Sequence, residues 1–88
     1  MGTLTLNDGT ILQNSSALLS SGMLFIYVRE TGITIADVFN LLVDPSKTER
    51  IVFTQVNGDE VVFLEYEKLI AVRDEGDGLF TAVLRHEA

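Results

Sequence analysis

The sequence predicts an α+β fold that is mainly β, namely an antiparallel curled sheet or small open barrel of about six to seven strands with one short helix. Short apolar or alternating runs are separated by Gly, Asn and Asp residues along most of the chain. One run alone, from Thr34 to Val43, has the periodicity of a helix. With 88 residues and no cysteine, the chain is predicted to form a single domain, residues 1–88, stabilised by apolar burial.

A hairpin is predicted at the start of the chain. Residues 3–6 alternate polar and apolar side chains, as a half-buried strand does, and residues 7–9, Asn-Asp-Gly, supply a turn. Residues 10–13 form the return strand. The serine-rich run from Asn14 to Ser21 fits either a strand with a bulge or an irregular edge, and both alternatives stay open.

Two further strands are strongly apolar. Residues 23–28, MLFIYV, are apolar at every position, which predicts a central strand covered on both faces. Residues 50–56 are mostly β-branched and aromatic, and the Asn57-Gly58 pair after them predicts a two-residue type I′ turn. That turn places Val52 opposite Phe63. One face of the hairpin then carries Ile51, Phe53, Val62 and Leu64, and the other carries Val52, Val61 and Phe63.

The helix is specified at both ends. Thr34 is the predicted N-cap, Asp37 completes a capping box, and Ile33 with Val38 has the spacing of a hydrophobic staple. Pro45 ends the helix, because the residue before a proline is disfavoured in the α region. A helix this short must dock on the sheet to be stable. Its predicted docking stripe consists of Ile35, Val38, Phe39, Leu42 and Val43.

The C-terminal part is predicted to form a second hairpin. Its strands are residues 69–73 and 79–85, and the polar residues 85–88 are predicted to fray. The turn between the strands, residues 74–78, contains three carboxylates and two glycines. Calcium binding is one interpretation of this turn, but the acidic residues of the turn lack the spacing of an EF-hand loop. A solvated turn is therefore the favoured interpretation.

The charge of the chain limits its partners. Thirteen acidic and six basic side chains give a formal charge of −7. Nucleic acid and anionic membrane surfaces are disfavoured, because both are bound through Lys and Arg. The chain has no apolar run long enough to span a membrane, and its start lacks the basic and apolar regions of a signal peptide. A soluble, cytoplasmic protein is predicted.

The residues that could carry chemistry form no catalytic pattern. His86 is the single histidine and has no cysteine to share a metal site, so it is interpreted as a surface residue. The serines of residues 15–21 lie in no G-x-S-x-G elbow. No catalytic, cofactor-binding or metal-binding residue is predicted, and the chain is interpreted as a non-enzyme. Core packing is favoured over a ligand cavity for Met23, Phe25 and Tyr27.

Contact surfaces are the stronger prediction. A hydrophobic fraction of 47 % is high for so small a domain, and both faces of the residue 51–64 hairpin are apolar, which favours a homo-oligomer. Tyr66, between Glu65 and Glu67, is either a polar-rimmed contact spot or a strand-end corner. The residues predicted for an interface are Val52, Val61, Phe63 and Tyr66.

A series of five motifs covers most of the chain: L-x-L-x-D-G-T at 4–10, G-x-L-F-I-Y at 22–27, a capped helix ending in D-P at 34–45, Y-x-x-L-x-x-V at 66–72 and G-x-x-T-A-x-L-R at 78–85. In this order they resemble small uncharacterised proteins of phages and prophages of Gram-positive bacteria. The resemblance implies a phage-related protein, virion-associated if phage-encoded, and no site residues.

Two functions remain as hypotheses. The first is a non-enzymatic structural or assembly protein that acts by self-association and by contacts with other proteins. The second is a monomeric module that binds a small ligand or a peptide at an exposed sheet edge. An enzyme that uses carboxylates alone ranks last, because no pair of carboxylates is fixed face to face.

Overall fold

The computed structural model describes residues 2–87, which form seven strands and two short helices. The elements in chain order are β1 (Gly2–Thr5), β2 (Ile11–Ser20), β3 (Met23–Arg29), α1 (Ile35–Leu42), α2 (Pro45–Thr48), β4 (Arg50–Thr54), β5 (Glu60–Leu64), β6 (Lys68–Gly76) and β7 (Leu79–Arg85).

All seven strands belong to one antiparallel sheet, in the order β5-β4-β1-β2-β3-β7-β6. The prediction of a mainly β fold built on a curled antiparallel sheet is confirmed. The edge strands β5 and β6 follow each other in the chain and are joined by residues 65–67 alone. Such a link spans at most about 14 Å, whereas seven strands laid flat would separate their edges by about 29 Å. The short link therefore requires the sheet to curl.

The core lies inside this curl, where alternate residues of neighbouring strands meet. Leu24 lies opposite Leu84 in the β3–β7 ladder, and both side chains are fully buried. Helix α1 covers the open side of the curl through Val38 and Leu42. Burying an aliphatic side chain of this size contributes about 1.5–3 kcal/mol. The fully buried apolar residues are Leu4, Leu24, Ile26, Leu42, Ile51, Leu84 and Val28.

The turn between β4 and β5 differs from the prediction. The N–H of Gln55 donates to the carbonyl oxygen of Asp59 at 2.8 Å, and Gly58 has a φ of 93°. The loop therefore contains three residues, 56–58, and is closed by a glycine with positive φ, the usual form of a three-residue hairpin loop. The prediction of a two-residue type I′ turn at Asn57-Gly58 is wrong.

The extra loop residue changes the register of the β4–β5 hairpin. Val52 lies opposite Val62, and Ile51 lies opposite Phe63, so the predicted pairing of Val52 with Phe63 is wrong. Side chains alternate between faces along a strand, so a shift of one residue in β5 exchanges its two faces. The core face carries Ile51, Phe53, Val61 and Phe63, and the outer face carries Val52, Val62 and Leu64.

Strand β2 resolves the alternatives for residues 14–21. It is a continuous strand with a bulge, because the register with β1 shifts between Gly2 and Leu4 and Asn14 has a φ of 49°. It also holds the middle position of the sheet, which the sequence assigned to β3. β3 is internal instead, between β2 and β7.

Only one face of β3 is fully covered. Its core face, Leu24, Ile26 and Val28, is buried. Its outer face is half-buried, and Phe25 and Tyr27 line a shallow hollow of about 350 Å³ on the outside of the sheet. The prediction of core packing is therefore wrong for the outward residues Met23, Phe25 and Tyr27.

The predicted start of α1 is confirmed. The Thr34 hydroxyl accepts the N–H of Asp37 at 3.3 Å, and the Asp37 carboxylate accepts the N–H of Thr34 at 2.8 Å, which completes the capping box. Pro45 is the first residue of a second helix, α2, which Asp44 caps through the N–H of Ser46 at 3.0 Å. The structure thus has two short helices where the sequence predicted one, since proline fits the first helical turn.

Candidate functional site

The structure does not place the four residues predicted for an interface on one exposed surface, although the rings of Phe63 and Tyr66 contact each other, with centroids 6.3 Å apart. The side chains of Val52, Phe63 and Tyr66 are 7 %, 6 % and 8 % exposed, and Phe63 and Tyr66 belong to the core. Val61 faces the curl near its end and is 39 % exposed. Exposed apolar side chains other than Phe63 and Tyr66 are therefore the candidates for a contact surface on the monomer.

The acidic turn is shorter than predicted. Strand β6 runs to Gly76, so only Asp77 and Gly78 form the loop, and both have positive φ as in a type I′ turn. The Asp74 carboxylate accepts the N–H of Gly76 at 2.9 Å, and the Glu75 carboxylate accepts the hydroxyl of Thr81 at 3.1 Å. Within residues 2–87, no group of three or more His, Asp or Glu side chains is arranged to hold a metal ion.

His86 is anchored rather than frayed. Its ring lies against the ring of Tyr66, with centroids 4.1 Å apart, and its Nδ1 is 2.9 Å from the carbonyl oxygen of Glu65. A carbonyl can only accept, so Nδ1 carries the proton. The preceding residue, Arg85, pairs with Lys68 in the β6–β7 ladder. The prediction of fraying for residues 85–88 is wrong at residues 85 and 86, and Ala88 lies outside the described residues.

Most apolar exposure on α1 comes from one side of the helix. At 100° per residue, the apolar positions of residues 35–43 cover an arc of about 200°. Val38 and Leu42 form part of the buried half of this arc, whereas Ile35, Phe39 and Val43 are 41 %, 47 % and 41 % exposed. The width of this arc can be read from the sequence. The prediction of a single docking stripe did not take it into account.

A groove of about 490 Å³ runs between this exposed side of α1 and the edge strand β6. Its β6 wall consists of four consecutive residues, 69–72. Successive side chains of a strand point to opposite faces, so a groove lined by all four lies along the edge of the strand. Ile70, 45 % exposed, is the extra residue of a bulge there. The residues of this α1–β6 groove are Ile35, Ala36, Phe39, Leu69, Ile70, Ala71 and Val72.

A second apolar surface lies on the outside of the sheet. Ile11 pairs with Thr5, Thr5 with Val52, and Val52 with Val62, so these side chains form one row across four strands. Leu64 follows two residues after Val62 on the same face. Ile11, Val62 and Leu64 are 55 %, 43 % and 56 % exposed. We call Ile11, Val52, Val62 and Leu64 the outer patch.

No match to this chain was found among protein-family models, curated proteins or solved structures. Among residues 2–87, neither helix has the length and apolar character required to cross a membrane. The two apolar surfaces, the α1–β6 groove and the outer patch, are therefore the candidate functional sites of this chain.

Proposed function

We propose that this protein is a non-enzymatic structural or assembly protein that acts through contacts with copies of itself and with other proteins. The outer patch is the observation that carries the proposal. It groups apolar side chains along one row of four strands, in which Ile11, Val62 and Leu64 are exposed and Val52 between them is 7 % exposed, whereas single scattered apolar residues on a surface need no explanation. Exposed apolar side chains grouped in this way are typical of protein–protein contact sites.

The charge of the chain determines how this association responds to salt. Each copy carries a formal charge of −7, so two copies repel each other at low ionic strength. Salt screens this repulsion without weakening apolar contacts. Self-association through the outer patch is therefore expected to strengthen as the salt concentration rises.

The motif resemblance gives this proposal a setting. The motifs resemble small uncharacterised proteins of phages and prophages, and we propose that this chain acts in the cytoplasm, or within the virion if it is phage-encoded. Its partners are then further copies of itself and other proteins of the particle.

Sedimentation equilibrium at micromolar concentration tests the proposal. We expect a defined oligomer, and we expect Val62→Glu and Leu64→Glu to shift it towards monomer. Val56→Glu is the matched control, because Val56 is 83 % exposed in the β4–β5 turn and the substitution adds the same charge. A wild-type chain that stays monomeric at moderate salt would contradict the proposal.

A second candidate function is the binding of a peptide at a sheet edge. The observation that favours it is the edge of β6: no main-chain hydrogen bond outside the ladder involves residues 68–75 within the described chain. Unpaired N–H and C=O groups of an edge strand are a template for another strand. Peptide binding by a chain that sediments as a monomer would favour this function over the first.

A further inference from the structure

We propose that β5 of one copy pairs antiparallel with β5 of a second copy, about a twofold axis that passes beside Val62. This inference rests on the proposed function, self-association through the outer patch, and adds to it the geometry of the contact. Three observations support it: the main-chain groups at the edge of β5, the regularity of this edge, and the side chains that the pairing brings together.

The free edge of β5 carries the main-chain groups of alternate residues. Along an antiparallel pair of strands, facing residues that exchange hydrogen bonds alternate with facing residues that do not. The N–H of Gln55 donates to the carbonyl oxygen of Asp59, and the N–H of Glu65 donates to that of Glu49, so the odd-numbered residues of β5 bond to β4. The main-chain groups that point away from the sheet belong to the even-numbered residues, Glu60, Val62 and Leu64. Within residues 2–87, no other strand pairs with β5, and no further main-chain hydrogen bond uses these groups.

These outward groups are complementary to themselves under a twofold rotation. When Val62 lies opposite Val62 of the second copy, Glu60 of each copy lies opposite Leu64 of the other. Each facing pair then exchanges two hydrogen bonds, about six in total along the contact. The pairing therefore satisfies every outward main-chain group of β5, and a twofold contact of this kind closes as a dimer.

The edge of β5 lacks the features that keep edge strands from pairing. Its register with β4 has no bulge from Glu60 to Leu64, and the strand contains neither lysine nor proline. The other edge strand, β6, is bulged at Ile70 and Glu75 and carries the charges of Lys68 and Arg73. Bulges and charged side chains are the usual protection of an edge against a second folded sheet. The chain therefore protects the edge of β6 and leaves the edge of β5 open to pairing.

A second copy suits this edge better than a free peptide does. The β5 strand of a second copy is already held in the extended conformation by β4. A free peptide has to lose its backbone entropy when it binds, which weakens its association. The edge of β5 therefore favours another folded copy of the same chain.

The pairing joins the outer patches of the two copies. Val52 lies opposite Val62 within each copy, so the apolar row of one copy continues through Val62 into the row of the other. Leu64, 56 % exposed, lies diagonal to Val62 of the second copy, within reach of side-chain contact. The exposed side chains of Val62 and Leu64 thus gain apolar neighbours from the same patch of the second copy.

Charged residues at each end of the contact act in opposite directions. Arg50 lies opposite Leu64 in β4, and Glu60 of the second copy lies on the other side of Leu64, on the same face. The Cα atoms of these opposite charges are two strand spacings apart, about 10 Å, which two long side chains can span. Asp59 approaches Glu65 of the second copy and is repelled by it. This second contact adds to the repulsion between copies that salt is expected to screen.

Single introduced cysteines test the geometry, because the natural chain has none. The two copies of Val62 face each other, so their Cα atoms are about 5.5 Å apart, a separation that a disulfide spans. The two copies of Leu64 are about 14 Å apart in the same dimer. We expect mild oxidation at micromolar concentration to link Val62→Cys chains at least about tenfold faster than Leu64→Cys chains. Val56→Cys, in the exposed β4–β5 turn, measures the rate of random collision.

Leu64→Cys is the matched control because its side chain lies on the same patch as Val62 and is the more exposed of the two. If outer patches met face to face, both cysteines would link at similar rates. Leu64→Cys chains mixed with Glu60→Cys chains should form mixed disulfide dimers, since these two positions face each other across the axis. Their failure to do so would contradict the proposed register.

Val62→Pro tests the main-chain hydrogen bonds separately. Proline removes the N–H that faces the second copy, whereas the ladder with β4 does not use this group, and proline is tolerated at such edge positions. Val62→Thr keeps both the N–H and the branched shape. We expect Val62→Pro to remain folded by circular dichroism and to raise the dissociation constant at least about tenfold, and Val62→Thr to change it far less. A folded Val62→Pro chain that associates as tightly as the wild type would overturn the inference.

The outcomes distinguish the inference from the function on which it rests. A wild-type chain that stays monomeric contradicts both. A wild-type chain that associates, while Val62→Cys links no faster than Leu64→Cys, contradicts the twofold pairing of β5 and leaves self-association through the outer patch in place.

Discussion

The imidazole of His86 stacks on the ring of Tyr66, with centroids 4.1 Å apart, while its Nδ1–H donates to the carbonyl oxygen of Glu65. This contact ties the end of β7 to the link between the two edge strands. Glu65 has a φ of 67°, a conformation that L residues adopt at a cost. Its N–H donates to the carbonyl oxygen of Glu49 at 2.8 Å. Hydrogen bonds on both sides of Glu65 thus hold the turn that closes the curl.

We therefore expect Tyr66→Ala to lower the free energy of unfolding by about 3–5 kcal/mol, because it removes a buried aromatic ring. His86→Ala should cost about 1 kcal/mol, the value of a lost hydrogen bond. Urea denaturation measures both changes. Glu87→Ala is the control and should have almost no effect, since its side chain is exposed. Equal effects of His86→Ala and Glu87→Ala would show that the His86 contact contributes nothing.

Removal of two fully buried hydroxyl groups, those of Ser15 and Thr48, is expected to change the free energy of unfolding in opposite directions. Ser15 Oγ donates to the carbonyl oxygen of Leu12 at 2.8 Å, whereas Thr48 Oγ1 has no hydrogen-bond partner within the described chain. Ser15→Ala should lower the free energy of unfolding by about 1 kcal/mol. Thr48→Val should raise it by about 1–3 kcal/mol, because it removes an unsatisfied buried polar group at nearly constant volume. Thermal unfolding compares the two, and a destabilised Thr48→Val protein would contradict this prediction.

Gly78 is expected to tolerate alanine less well than Gly58. Both have positive φ, 77° and 93°, so a side chain costs about 1–2 kcal/mol at either position. A Cβ at Gly78 would also lie 3.1 Å from the carbonyl oxygen of Glu30, whereas a Cβ at Gly58 meets no atom within 4 Å. The Glu30 N–H donates to the Gly78 carbonyl oxygen at 2.9 Å, so little movement is available. Chemical denaturation should show Gly78→Ala as clearly less stable than Gly58→Ala, and equal stabilities would contradict the steric argument.

Two turn aspartates are expected to make the fold sensitive to acid. The N–H of Thr10 donates to Asp8, and the hydroxyl and N–H of Ser46 donate to Asp44, so these hydrogen bonds hold the pKa of each carboxyl below its ordinary value. A lowered pKa in the folded state means stabilisation above the pKa of the unfolded chain. That stabilisation is lost as the pH falls below about 4. Carboxyl NMR titration should give midpoints below those of an unstructured peptide, and Asp8→Asn with Asp44→Asn should reduce the acid sensitivity of unfolding.

The sequence predicted those parts of the fold that depend on short-range chemistry. The capping box of α1 requires only two side chains three residues apart, and Thr34 with Asp37 forms it as expected. The alternation of β1 and the turn at residues 7–9 are equally local. The strand order is different, because it depends on which distant segments meet, and no local pattern indicated that β1 pairs with β4.

The candidate surfaces were predicted less well, because exposure depends on the rest of the fold. The apolar arc of α1 was visible in the sequence, but only the position of the helix beside β6 leaves Phe39 exposed and Leu42 buried. Phe63 and Tyr66 were predicted for an interface, and both lie in the core. Phe63 was predicted on the wrong face of β5 because the predicted loop was one residue too short. A shift of one residue in register exchanges the two faces of a strand.

The register of the β4–β5 hairpin can be measured directly with engineered disulfides. The natural chain has no cysteine, so a pair of introduced cysteines has no competitor. Thr54 lies opposite Glu60, and cysteines at facing positions of antiparallel strands have the Cα separation that a disulfide needs. Oxidation of a Thr54→Cys, Glu60→Cys chain should therefore form an intramolecular disulfide readily. The two-residue turn would place Thr54 opposite Val61 instead, so Thr54→Cys with Val61→Cys is the matched control. In the three-residue turn these two side chains lie on opposite faces, and the control should remain largely reduced. Faster oxidation of the control pair would contradict the three-residue turn. It would support the two-residue turn, in which Phe63 lies on the outer face.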